Sequence, residues 1–136
     1  MELIGTSRRA ATARVAPLAE AYRRVRNATL GLVAGLSPED LAVQSMPDAS
    51  PGKWHLAHTS WFFDAVALAA VPGRAPLRPD WHALFNSYYE SLGPRHPRPQ
   101  RGLLTRPSLD EIHRYREHVD AALSALLSAG AGEEAR

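Results

Sequence analysis

The stretch SPGKWHLAHTSWFFDAVALAAV, residues 50–71, restricts the possible folds more than any other part of the chain. At about 100° per residue its polar side chains Lys53, Ser60 and Asp64 share one narrow stripe of a helix. Trp54, Trp61, Phe62, Phe63, Ala65 and Leu68 cover most of the remaining circumference. A helix apolar over so much of its surface is stable in water only when other elements enclose it. Ser50 is expected to cap its N-terminus with Pro51 at the first helical position, and Pro72–Gly73 to stop it. His58 falls one turn from both Trp54 and Trp61, with His55 three residues before it. A buried imidazole is thus the first chemical feature.

The elements around this helix follow from the same periodicity. Residues 1–16 lack it and are expected to form a mobile arm. From Pro17, the residues Leu18, Tyr22, Val25, Thr29, Leu32 and Val33 recur at spacings of three and four, predicting an amphipathic helix that ends near Gly35. Leu36 to Ala49 reads as a connection with one helical turn over Pro38–Ala42. Seven of the chain's eleven prolines lie between Pro72 and Pro107, so that region is extended loop apart from a short helix over Asp80–Ser91. Ser108 and Glu111 form a capping box that opens a last helix, with Ile112, Tyr115, Val119, Ala122, Leu123 and Leu126 on its apolar stripe. Residues 130–136 are expected to fray. Nothing reads as a strand, and the class is all-α, a single helical domain over residues 17–129 with three long helices.

Several function classes are restricted by composition. There is no cysteine, which removes thiolate metal sites and a cysteine nucleophile and is compatible with a cytoplasmic setting. No run of apolar residues is long enough to span a membrane. The net charge is only +2 with acidic residues spread along the chain, and the tryptophans belong to a buried helix face, so a nucleic-acid partner is not expected.

Two constellations remain. Among the six histidines at 55, 58, 82, 96, 113 and 118, His55 and His58 have the i, i+3 spacing of helical metal sites. His113 and His118 are rotated about 140° apart and cannot face one point. Spacing alone leaves His58 as either a hydrogen-bonded core residue or a ligand. The loop GPRHPRPQRGLLTRP presents Arg95, Arg98, Arg101 and Arg106, whose planar forks suit carboxylates or phosphates; a solvated polyproline-like loop is the plain alternative.

The runs SMPDASPGKWHLAHTSWFF, LFNSYYESLGPRHPRPQRGLL and RPSLDEIHRYREHVDAAL resemble the N-terminal DinB-like domain of the ergothioneine biosynthesis sulfoxide synthases, and the similarity extends from about Tyr22 to Leu127. Selenoneine synthases share this architecture. The resemblance implies an up-down four-helix bundle followed by a catalytic domain. It also implies a non-haem iron(II) centre that uses dioxygen to join a thiol, γ-glutamylcysteine or cysteine, to trimethylhistidine. By the resemblance, the first iron-binding histidine is His58, and the arginines that hold the thiol substrate's carboxylates are Arg98 and Arg101.

The family's H-E-x-x-H motif, which supplies the other two iron ligands, is not found in these residues, nor is the catalytic domain. The expectation is therefore a domain fragment with its fourth helix missing and inactive alone, either a truncated gene product or one piece of a split enzyme whose separate chain carries the missing helix and catalytic domain. An apolar groove is expected between residues 17–35, 50–71 and 108–129. The alternative is a free-standing DinB-like module that binds a metal or partner without catalysis.

Overall fold

The computed structural model describes the backbone of residues 4–87 and 90–133, with side chains for residues 17–87 and 91–130. Among the described residues there are helices and turns and no strand beyond an isolated bridge between Met46 and Ala49. The all-α expectation holds. The chain divides into two compact units, residues 1–34 with 121–136, and residues 35–120.

In the first unit, helix α1 runs Ile4–Val33 and passes through Pro17, so helical backbone occupies residues expected to form an arm. Proline lacks an N–H and perturbs only the preceding turn, and the flanking alanines are strong helix formers. The buried face of α1 also differs from the expected stripe. Tyr22 and Arg26 are buried, with the guanidinium 5.7 Å from the Tyr22 ring centre, whereas Leu18, Val25 and Leu32 stay exposed. Gly35 follows at φ +81°, a left-handed conformation that ends the helix without strain. The C-terminal part of α5 (Leu109–Glu133) belongs to this unit and extends past residue 129.

The second unit contains the chemistry. Helix α2 (Pro38–Ala42) is held by a capping box in which Ser37 Oγ accepts from the Asp40 N–H and Asp40 returns the bond to the Ser37 N–H. Helix α3 (Gly52–Phe62) is the aromatic helix, but Ser50 does not cap it; the N-cap position is Pro51, and the Ser50 hydroxyl accepts instead from Arg101.

Beyond Phe62 the α-helix gives way to a π-helical segment, Phe63–Leu68, rather than continuing to Val71. The wider turn accompanies the inward burial of Asp64, only 1% exposed, whose carboxylate accepts from the Leu77 and Arg78 amides and from the Tyr115 hydroxyl. The polar stripe read from the sequence is therefore internal. Lys53, Ser60 and Asp64 are all buried, and the Lys53 ammonium donates to the Leu104 carbonyl.

The proline-rich region carries short pieces: a 3-10 turn at Pro79–Trp81, helix α4 (His82–Phe85), and 3-10 turns at Glu90–Leu92 and Arg98–Leu103. The helix expected over Asp80–Ser91 stops at Phe85, and Asn86 is extended. Asn86 donates from its side chain to the Gly93 and Pro94 carbonyls, which turns the chain back on itself. Ser108 and Glu111 form the expected capping box of α5, with Ile112, Tyr115 and Val119 almost fully buried.

Candidate functional site

The site is built on the first turns of α3 and the C-terminal end of α4. A helix leaves its last carbonyls without partners. In α4 the carbonyls of Leu84 and Phe85 are taken by two side chains of α3: the Trp54 indole N–H donates to Leu84 at 2.9 Å, and His58 Nδ1 lies 2.6 Å from the Phe85 carbonyl. A carbonyl oxygen can only accept, so Nδ1 carries the proton and Nε2 presents a lone pair. Burial holds the His58 imidazole below the usual histidine range; the Phe85 bond opposes this, and the charges of His55 and Arg101 add to it. The ring is neutral at pH 7.

Aromatic packing sets the plane of this ring. The imidazole stacks on Trp54 at 4.7 Å and 11°, and on Trp61 at 5.7 Å and 22°. The Trp61 indole N–H donates to His82 Nδ1 at 3.3 Å, and His82 hydrogen-bonds the Leu92 carbonyl through Nε2. His55 is exposed, with its ring edge-on to Trp54.

Of the two arginines singled out in the sequence, Arg101 is 3% exposed. Its Nε donates to the His96 carbonyl and its Nη1 to Ser50 Oγ at 3.0 Å, while its guanidinium carbon sits 3.7 Å from the Trp54 ring centre. Burial, with the charges of Arg98 and Arg95, pushes it down to about 10. Arg98 is half-buried, and its carbonyl accepts from Gln44.

Both arginines line a cavity of about 440 Å³ together with Asp48, Ser87, Arg95 and His96. His96 Nε2 is buried there with no hydrogen-bond partner among the described residues. Three guanidinium groups and one carboxylate give this cavity a positive balance suited to an anionic ligand.

The family model described as the DinB superfamily matches residues 21–135. The chain belongs to the DinB superfamily. Among curated proteins, none matches it. The match spans both compact units and contains every residue of the candidate site.

The sequence reading located His58 on its aromatic face and Arg98 and Arg101 on one loop. It did not find the Phe85 carbonyl, the Ser50 hydroxyl or Gln44, whose amide donates to the Arg98 carbonyl and whose Oε1 accepts from the Gly102 N–H. Backbone acceptors leave no mark in a sequence, and a lone glutamine in a polar connection has no periodic signature.

Proposed function

We propose that this DinB-like chain supplies the first metal-ligating histidine and the thiol-substrate site of a non-haem iron sulfoxide synthase. That enzyme joins γ-glutamylcysteine or cysteine to trimethylhistidine. The observation that carries the reading is the bond from the half-buried His58, through Nδ1, to the Phe85 carbonyl, which leaves Nε2 as an oriented lone pair. Metal-binding histidines characteristically donate their other N–H in this way. The long collinear motifs around His58, Arg98 and Arg101 support the same reading.

Among the described residues no three His, Cys, Asp or Glu side chains group to hold a metal ion. These residues therefore do not form a complete iron site, and in this reading the remaining ligands are brought by an H-E-x-x-H helix. Iron, when bound, would supply dioxygen activation. This chain's residues hold a neutral imidazole in a fixed plane, while Arg98 and Arg101 pair with the substrate's carboxylates in the 440 Å³ cavity.

The test loads iron(II) anaerobically onto the chain combined with a polypeptide carrying the H-E-x-x-H helix and catalytic domain, followed by metal analysis and a two-substrate assay. His58→Ala should lose iron while keeping its helicity, and His113→Ala and His118→Ala should retain it. Iron content unchanged by His58→Ala would sink the assignment. His58-dependent iron with no consumption of either substrate would instead identify a metal-binding module without catalysis.

A further inference from the structure

We infer that Arg101 is a positioning residue for His58, acting through the Trp54 indole. A single hydrogen bond leaves the plane of a ring undetermined. The bond from His58 Nδ1 to the Phe85 carbonyl fixes one direction, but the imidazole can still turn about that axis and swing Nε2 through an arc. Its plane is set by stacking, most closely on Trp54 at 11° and 4.7 Å.

Trp54 has the same freedom about its own bond to the neighbouring Leu84 carbonyl, and among the groups that enclose it is the Arg101 guanidinium, 3.7 Å from its ring centre. That guanidinium is itself held at two points, by the His96 carbonyl and the Ser50 hydroxyl. The Arg101 guanidinium over the indole and the indole stacked on the imidazole thus form one contiguous set, with consecutive carbonyls of α4 taking the two ring N–H groups. The direction of the Nε2 lone pair follows from the whole stack.

Planarity is the property required. A lysine ammonium would keep the charge, yet it is a compact point charge on a flexible stem and offers no flat face to an indole. The orientation of His58 stands on this geometry alone; its consequence for metal binding rests on the proposed reading of Nε2 as a ligand.

The experiment is side-chain NMR of the full chain. In the unaltered protein His58 should show the Nδ1–H tautomer, with its carbon-bound protons displaced upfield by the flanking indoles. Arg101→Leu and Arg101→Lys should both move these resonances toward random-coil positions, while the amide spectrum remains dispersed. Gln44→Ala loosens the same loop at Arg98 and Gly102 without touching the stack, and it should leave His58 unchanged. Unchanged His58 resonances in the Arg101 variants would overturn the proposal, as would an equal shift in Gln44→Ala or a native spectrum in Arg101→Lys. Should Arg101→Leu fail to fold, Arg101→Lys carries the comparison. Zn2+ serves as the metal probe in a second arm, where it should shift His58 Nε2. No response to Zn2+ alongside the expected stack results would defeat the ligand reading and leave the positioning role intact.

Discussion

Single residues in this chain act through the groups they leave unpaired when removed. The Asp64 carboxylate accepts from two loop amides and from the Tyr115 hydroxyl at 2.8 Å, tying the end of the aromatic helix to the loop and to α5. Asp64→Ala would strand those donors, at roughly 1–3 kcal/mol each where buried, so a loss of about 3 kcal/mol or more is expected in urea unfolding. Tyr115→Phe removes one donor from a carboxylate that keeps its amide partners, and about 1 kcal/mol is expected. In the Asp64→Ala background the Tyr115→Phe penalty should vanish, and additive losses would show that the hydroxyl is not coupled to Asp64. Arginine replacements separate differently. If the cavity takes the thiol substrate, Arg98→Ala should raise its KM about tenfold or more, in line with roughly 1.5–3 kcal/mol for a charge-assisted bond. The KM for trimethylhistidine should hardly move, and equal weakening toward both substrates would indicate collapse of the loop. Arg101→Ala should do the same and also lower the melting temperature, because Arg101 is buried against Trp54.

Elements follow their periodicity until a tertiary partner overrides it, and the glycines show where. Gly31 lies inside α1 with open space at its missing side chain, so Gly31→Ala should stabilise by about 0.5–1 kcal/mol through helix propensity. At Gly102 an added Cβ would lie 2.7 Å from Gln44 Cβ and 2.9 Å from Gln44 Oε1, breaking the bond that closes the arginine loop on residue 44. Gly102→Ala should therefore destabilise by about 1–3 kcal/mol, as overpacking does. Opposite signs in thermal melts support this account, and stabilisation by both would refute it. The same contrast explains what the sequence could disclose. The α5 stripe, the Ser108–Glu111 capping box and the enclosure of α3 were legible because each depends on neighbours within a turn or two; the Ser37–Asp40 box was not read. The π-helical segment was not, because what it buries, Asp64, is satisfied by residues 13 and 51 positions away. The face of α1 was misjudged for a related reason: Arg26 is polar in sequence yet buried over Tyr22, while Val25 is apolar yet exposed. At the site, His58 was legible as an imidazole on an aromatic face, though it is half-buried and not enclosed, whereas the carbonyl that decides its tautomer was not.

At the scale of the whole molecule the histidines make stability depend on pH within a defined window. Partial burial pushes His58 and His96 below the usual histidine value, and partial desolvation against the protein lowers His55 as well, although its side chain is exposed, with the Arg101 charge opposing protonation at all three. In the unfolded chain these rings titrate near 6.5. Below that value the unfolded state binds more protons than the folded one, so stability rises with pH and falls on acidification until the folded rings are themselves protonated. Asp40, Asp80 and Glu111 are also lowered, by capping bonds to Ser37 and Ser108 and by the Arg78–Asp80 pair, but their unfolded values of 3.8 and 4.5 confine their effect to more acidic solutions. The urea midpoint should therefore decline between pH 7 and about 5 through the imidazoles alone, with a further decline below about 4.5 from the carboxylates. Replacing His58 with phenylalanine, which keeps a ring between Trp54 and Trp61 but cannot titrate, should flatten the upper part of this profile without abolishing it, since His55 and His96 remain. A midpoint constant from pH 7 to 5 in the unaltered chain would mean that these rings accept protons in the folded protein as readily as in water. His58 would then give up its Nε2 lone pair to a proton at the same acidity as a free imidazole, and its burial would not protect the neutral form.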